Sequence, residues 1–343
     1  VKVLTVVGNR PQFIKSGPVS EALRAAGIEE VVLHTGQHWD DALSTVFYEE
    51  LGLPEPAYRL DLHTADPEAM RPGIADALER ERPDWVIVYG DTNSTLAGAE
   101  AAMDAGVRVA HVEAGLRSGD LTMPEERNRI AVDRVSTLLL TPDERSGETL
   151  RAEGVPGRIE LVGDVMRDAL DLSLPFAERV RLDHAEPYAL LTIHREANTE
   201  PDQLRGLISE LNRTGWSFVF PVHPRTRQVL EENGIELSPD IEAIEPQGYL
   251  ELLALARHAT RVVTDSGGLQ KEAYWLGVPC VTLRANTEWV DTVRAGANTL
   301  VDPADPAGLG QALANATFPH DPPQLYGDGH AAERVAASLA ADV

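Results

Sequence analysis

Three carboxylate-bearing stretches stand where apolar runs end. Gly90-Asp91-Thr92-Asn93-Ser94-Thr95 follows Val86-Ile87-Val88-Tyr89, His111-Val112-Glu113-Ala114-Gly115-Leu116-Arg117 follows Val109-Ala110, and Glu125-Glu126-Arg127-Asn128-Arg129 follows Met123-Pro124. Carboxylates in such places can act as general acids and bases. Each also has a plainer use. Asp91 serves equally well as a helix N-cap. Glu125 and Glu126 suit the first turn of a helix after Pro124, and Arg117 or Arg129 can pair with Glu113. Glu113 fits the plainer use least, because a carboxylate at the end of a buried strand is costly unless it is paired or used.

The second half of the chain offers a different chemistry. Thr192-Ile193-His194-Arg195-Glu196-Ala197-Asn198 and Pro221-Val222-His223-Pro224-Arg225 each place a histidine at a strand end with an arginine close behind. No His-x-x-x-His spacing occurs in this half, so a zinc site is not indicated there, and the basic pairing suits phosphate. Thr264-Asp265-Ser266-Gly267-Gly268-Leu269-Gln270-Lys271-Glu272 reads as a strand, a tight turn and a helix start. Such a turn directs backbone N–H groups and the positive end of a helix dipole outward, which suits an anion. Ser266 adds a hydroxyl, and Glu272, about one and a half turns on, is placed to take ribose hydroxyls. By itself Ser-Gly-Gly is also an ordinary capped connection. With the carboxylates of the first half, the set points to a sugar nucleotide.

Composition narrows the classes. The 55 acidic residues exceed the 30 basic ones for a formal charge of −25, which argues against nucleic-acid or anionic-membrane partners. Only Lys2, Lys15 and Lys271 are lysines, and the last two fall within motifs. Cys280 is the single cysteine, so neither an internal disulfide nor a cysteine zinc cluster can form, and its apolar setting reads as core. The opening Val1 to Val7 run is too short for a signal-peptide core and no run reaches transmembrane length, giving the expectation of a cytoplasmic protein.

The elements that must position these residues alternate. Strand-like runs at Val3 to Val7, Val31 to Thr35, Trp85 to Tyr89, Val107 to Val112 and Thr137 to Leu140 are interleaved with helical stretches such as Ala69 to Glu81 and Thr95 to Asp104. A second set follows, with strands near Ala189 to Ile193, Ser217 to Pro221, Arg261 to Thr264 and Cys280 to Leu283, and helices near Pro201 to Asn212 and Tyr249 to Arg257. This alternation predicts an α/β fold of two Rossmann-like, doubly wound domains facing across a cleft, with ligands outside the carboxyl ends of the strands. The expected domains are 1–170, joined by a C-terminal helix at 330–343, and 171–329. The loosened stretch Asp164 to Pro187, a short helix, Pro175 and then charged and polar residues, is expected to be the linker.

The ordered motifs Gly8-Asn9-Arg10-Pro11-Gln12-Phe13-Ile14-Lys15, Gly90-Asp91-Thr92, His111 to Arg117, Pro124 to Arg129, His194-Arg195-Glu196, Pro221-Val222-His223 and Asp265 to Glu272 resemble the non-hydrolysing UDP-N-acetylglucosamine 2-epimerase family over nearly the whole chain. The resemblance implies a GT-B-like arrangement, a homodimer, no cofactor and no metal. It implies a reaction in which UDP is eliminated across C1–C2 of a UDP-N-acetylhexosamine and added back after protonation on the opposite face. It assigns Asp91, Glu113 and Glu126 as catalytic carboxylates with Lys15 close by. Arg10, His194, Ser266, Gly267 and Gly268 would hold the diphosphate and Glu272 the ribose, with His223 in the same cleft.

Two departures bear on the substrate. Gln12 replaces a glutamate common in the family, and Thr287-Glu288-Trp289-Val290-Asp291 stands where many members have Thr-Glu-Arg-Pro-Glu. Together with His34-Thr35-Gly36-Gln37-His38 and Tyr89-Gly90-Asp91-Thr92-Asn93-Ser94-Thr95, these features resemble a branch that includes epimerases of UDP-2,3-diacetamido-2,3-dideoxyglucuronate, where His34, His38 and Arg117 would face a C6 carboxylate or serve the scaffold alone. A GT-B glycosyltransferase with a UDP-sugar donor, a hydrolysing 2-epimerase releasing UDP and ManNAc, and a catalytically silent sugar-nucleotide sensor are the competing readings.

Overall fold

The computed structural model describes residues 1–37, 55–184 and 187–341, apart from the Arg10 side chain; His38 lies outside these residues. The chain divides into two compact units, Val1–Ser173 with Tyr326–Val343, and Leu174–Leu325. Each is built on one parallel sheet.

The first unit contains β1 (Lys2–Val7), β2 (Glu29–His34), β3 (Tyr58–Arg59), β4 (Trp85–Tyr89), β5 (Arg108–Val112), β6 (Leu138–Thr141) and β7 (Arg158–Leu161). Their spatial order is β3-β2-β1-β4-β5-β6-β7, and every pairing is parallel. The central strand β4 is buried along its whole length, as its unbroken Trp-Val-Ile-Val-Tyr run requires when helices cover both faces. One face packs Val3, Val7, Trp85 and Ile87 against Val19 and Leu23 of the helix Arg10–Ala25. The other packs Leu4, Val6, Val86 and Val88 against Met70, Ile74, Ala97 and Ala101.

The second unit orders β8 (Ala189–Thr192), β9 (Phe218–Pro221), β10 (Ile241–Ile244), β11 (Arg261–Thr264), β12 (Cys280–Leu283) and β13 (Asn298–Val301) as β10-β9-β8-β11-β12-β13, again all parallel. Leu204, Leu207, Ile208 and Leu211 recur at helical spacing on Pro201–Arg213, and this apolar stripe is buried on one face of the sheet. Cys280 is buried as expected, and loss of water pushes its thiol up to about 12.

The strand order reverses between β1 and β4 in one sheet and between β8 and β11 in the other. At such switch points successive connections leave to opposite faces and open a crevice beyond the strand ends. Gly8 to Gln12 and Gly90-Asp91 follow β1 and β4; His194 and Asp265 to Gly268 follow β8 and β11.

Two expectations change. The short helix expected before Pro175 is thirteen residues long, Val165–Ala177, and runs on through Pro175. Val165, Met166, Ala169, Leu170 and Ser173 are all buried, a helical stripe that the surrounding charges obscure. Strands β3, β7, β10 and β13, all unanticipated, are the four edges of the two sheets. An edge strand is half solvated, so it carries polar residues and lacks the apolar run that announces a central strand.

The last helix, Ala331–Ala340, packs on the first unit. Ala331, Val335 and Leu339 join its core, and the Asp168 carboxylate accepts the Ala331 and Ala332 N–H groups at 3.2 and 2.8 Å. Those donors would otherwise be orphans of the first turn.

Candidate active site

At the first switch point the end of β4 and the end of β5 lie side by side. Lys15, reaching from the helix Arg10–Ala25, places Nζ 2.7 Å from Glu113 Oε1, and both side chains are largely withdrawn from water at 12% and 8% exposure. Glu113 therefore has its ion-pair partner in Lys15. Its backbone is left-handed, φ 73°, a conformation costing a non-glycine residue about 1–3 kcal/mol and common where function imposes it. Its N–H and that of Ala114 both donate to the Leu140 carbonyl, which holds the turn. Gly90 also has positive φ, and a Cβ there would lie 3.3 Å from both Glu113 Oε1 and Lys15 Nζ. Glycine thus lets the Asp91 turn approach the ion pair closely.

Asp91 is not the helix cap. Thr92 caps Asn93–Asp104 through a reciprocal box with Thr95, which leaves the Asp91 carboxylate for another use. It pairs with the guanidinium of Arg129 while remaining 23% exposed. The same arginine reaches Glu126 Oε2 at 3.1 Å.

Glu126 and Glu125 separate clearly, with Glu126 buried and Glu125 exposed. Glu126 accepts the Ser118 N–H at 2.9 Å, the Ser118 hydroxyl at 3.1 Å and the Gly119 N–H at 3.0 Å. Burial alone would raise its carboxyl, but those two backbone donors and Arg129 outweigh burial and hold it below the ordinary glutamate range. Its oxygens are therefore largely engaged in fixing the 118–119 loop and Arg129.

Arg117 turns inward. It pairs with Asp133 Oδ2 at 2.8 Å, binds Glu153 through Nε at 2.9 Å and Nη2 at 2.7 Å, and donates to the Leu116 carbonyl. Its donors are engaged with the scaffold in this arrangement. His34 stacks on Phe13 with ring centroids 4.8 Å apart and accepts the Gly36 N–H at 2.9 Å.

Asp133, which no motif in the sequence singles out, is a fully buried hub. It meets His111 Nδ1 at 2.7 Å, the Gly115 N–H at 3.2 Å and Arg117. Burial would raise this carboxyl too; the His111 hydrogen bond and charge, followed by Arg117, bring it below the ordinary aspartate value. Only its position among polar residues of a helix marked it in the sequence, and that marks many surface residues equally.

At the second switch point Ser266 caps the helix Gly267–Trp275, accepting the Leu269 N–H at 3.4 Å, so its own hydrogen remains for donation. A Cβ at Gly268 would meet nothing within 4 Å. Internal packing therefore does not require a glycine there, whereas a close external ligand would. Glu272 is buried on this helix.

Asp265, wholly buried, organises the neighbouring turn. Its carboxylate accepts the N–H groups of His194 (3.0 Å to Oδ2) and Arg195 (2.9 Å), the Asn198 amide (3.1 Å), and lies 3.1 Å from His194 Nδ1. This orients the imidazole, whose side chain stays 41% exposed. His223 caps Pro224–Glu232 through Nδ1, with its ring centroid 6.2 Å from that of His194. The two histidines expected at this edge are thus brought together. Arg10 begins its helix, and its side chain lies outside the described residues.

The departure at 289 has a physical reason. Trp289 is buried, and the buried ammonium of Lys271 lies 3.8 Å from its ring centroid, a favourable contact between a cation and an aromatic face. Among the described residues no set of His, Cys, Asp or Glu could hold a metal ion, and no helix is long and apolar enough to cross a membrane.

Two doubly wound sheets with paired carboxylates at one switch point and a capped helix start at the other define an α/β enzyme of the nucleotide-binding type. The family model described as UDP-N-acetylglucosamine 2-epimerase matches residues 21–340. The chain belongs to that family of isomerases. A UDP-2,3-diacetamido-2,3-dideoxy-D-glucuronate 2-epimerase of Pseudomonas aeruginosa is 43% identical, with 99% of each chain covered. A UDP-N-acetylglucosamine 2-epimerase homolog of Methanococcus maripaludis is 45% identical over 88% of each. The crystal structure of Methanocaldococcus jannaschii UDP-GlcNAc 2-epimerase in complex with UDP-GlcNAc and UDP is 36% identical, with a TM-score of 0.93 over 99% of this chain and 100% of the other.

Proposed function

We propose that this chain inverts C2 of a UDP-linked 2-acetamido hexose without net hydrolysis, converting UDP-GlcNAc to UDP-ManNAc or acting likewise on the 3-acetamido uronate analogue. The observation that carries the reading is the Lys15–Glu113 ion pair packed over Gly90, immediately before Asp91. The C2 proton of such a sugar is not beside a carbonyl, so direct removal is unfavourable. Breaking the C1–oxygen bond to UDP while a carboxylate takes the C2 proton yields a 2-acetamido glycal and UDP. A second carboxylate then gives a proton to the other face of C2, and a UDP oxygen re-forms the bond at C1. Asp91 and Glu113 are the acid/base pair in this reading.

Glu126 supports them by holding Arg129, which pairs with Asp91. Ser266, Gly267, Gly268, His194, His223 and Arg10 receive the diphosphate, with N–H donors and cations favouring it as it departs. Glu272 takes the ribose hydroxyls. The full-length likeness to the Pseudomonas relative supports including the uronate substrate. A cytoplasmic homodimer belongs to the same reading and is checked by sedimentation and cell fractionation.

Incubation of the enzyme with UDP-GlcNAc and with its 3-acetamido and uronate variants in deuterium oxide tests the reaction. Deuterium at C2 with UDP still attached is the expected result. Release of free ManNAc would identify a hydrolase, and absence of exchange with every substrate, until an acceptor is supplied, would identify a transferase.

A further inference from the structure

We infer that Gln12, His111 and Asn128 are positioning residues that fix the backbone carrying Asp91, an inference that rests on the acid/base role proposed for that residue. Three successive carbonyls at the end of β4 each meet a buried side-chain donor from a different element. Gln12 Nε2, from the helix Arg10–Ala25, donates to the Tyr89 carbonyl at 3.0 Å. His111 Nε2, on β5, lies 2.7 Å from the Gly90 carbonyl. Asn128 Nδ2, from the helix Pro124–Val135, donates to the Asp91 carbonyl at 3.0 Å and to Asn93 Oδ1 at 2.9 Å. Consecutive peptide planes held in this way cannot turn independently. The direction in which Asp91 leaves the backbone is therefore set by groups remote from its carboxylate.

Gln12 is the informative member. It is 1% exposed, and each end of its amide is matched. The Thr95 hydroxyl gives its one hydrogen to the Tyr89 carbonyl at 2.7 Å, so Thr95 Oγ1 accepts from Gln12 Nε2 at 2.9 Å. At the other end the Gly8 N–H donates to Gln12 Oε1 at 2.8 Å. The nitrogen therefore faces two oxygens and the oxygen faces an N–H, which fixes the orientation of the amide. One side chain thus ties the Gly8 loop after β1 to the Asp91 turn after β4. An ionised glutamate here would place a negative oxygen against the Tyr89 carbonyl, so only the protonated acid can replace the amide. This gives the glutamine a role that shape alone would not reveal.

The test compares wild type, Gln12→Leu, Gln12→Glu and Asn128→Leu by kcat and KM across a pH range, with hydrogen exchange of peptides covering residues 89–95. Gln12→Leu is expected to lower kcat about 100-fold, the scale of loss when a catalytic group is displaced by about an ångström, with UDP affinity near that of wild type. Gln12→Glu is expected to keep most activity at acidic pH, where the buried acid retains its proton, and to lose it relative to wild type as pH rises. Asn128→Leu should resemble Gln12→Leu in kcat. Both leucine variants should exchange faster at 89–95. A wild-type kcat in Gln12→Leu, or a pH-independent ratio of Gln12→Glu to wild type, overturns the inference. If wild type shows no C2 exchange on any substrate, the proposed reaction fails, and the peptide exchange still decides the clamp: unchanged protection in both leucine variants overturns it. Should Gln12→Leu not fold, the ratio of Gln12→Glu to wild type at acidic and alkaline pH decides the inference instead.

Discussion

Lys15 Nζ and Glu113 Oε1 stand 2.7 Å apart, although 98 positions separate the two residues in the chain. The ammonium offsets the cost of keeping the carboxylate out of water, and the left-handed backbone at Glu113 aims it from the end of β5.

Removing either partner should cost chemistry more than binding. Glu113→Gln is expected to lower kcat by about 10²–10⁴-fold, the span of a lost acid or base, with KM little altered. Lys15→Met should do comparable damage, and the double variant should be no worse than the poorer single one, because the two act as a unit. Additive losses in steady-state kinetics would show that they act separately.

Glu126 should report on stability through pH. Its folded carboxyl lies below the unfolded value of about 4.3, so the unfolded chain binds the proton more readily. The contribution is thus complete above the unfolded value and disappears as pH falls through the folded one. Glu126→Gln should lower stability by about 1–3 kcal/mol at neutral pH, because the amide keeps one acceptor oxygen and leaves either the Ser118 or the Gly119 donor unmatched. Urea titrations should show the gap between variant and wild type narrowing in acid; a constant gap would mean that the charge contributes nothing.

Gly268→Ala separates packing from binding. Its Cβ meets open space, and alanine favours a helix over glycine by about 0.5–1 kcal/mol, so the melting temperature should hold or rise. UDP affinity should fall at least tenfold, or about 1.4 kcal/mol, if a phosphate lies against that backbone. Calorimetric titration finding full affinity would move the diphosphate away from this helix start.

Asp265→Asn should loosen the turn that presents His194. One carboxylate oxygen now receives the N–H groups of His194, Arg195 and Asn198, and an amide placed there matches fewer of them. UDP binding should weaken about tenfold, with about 1–3 kcal/mol lost in stability. Unchanged affinity in the same titration would remove His194 from the phosphate contacts.

Much of the candidate site was legible because its residues follow apolar runs. The strands β4, β11 and β12 were read with the bounds the structure gives them, and each carries an unbroken apolar or threonine-bearing run. The turns after β4 and β11 then placed Asp91 and Ser266 at strand ends. The edges β3, β7, β10 and β13 were not legible, since half-solvated strands share the composition of loops. Asp133 and Asp265 were visible as residues but not as hubs, since their partners His111, Arg117, His194 and Asn198 come from other elements.

By itself the sequence determined the alternation of buried strands and amphipathic helices, and with it the two doubly wound sheets and the motif-bearing turns. These are local matters of hydrophobic period and turn chemistry. Only the tertiary structure decided which charges meet: that Glu113 takes Lys15, that Asp91 takes Arg129, that Arg117 turns to Asp133 and Glu153, and that Gln12 holds the Tyr89 carbonyl. The physical reason is strand order. Placing β4 beside β1 brings Gln12 to the end of β4, and placing β5 beside β4 brings Glu113 to Gly90, neither of which a local pattern along the chain can encode.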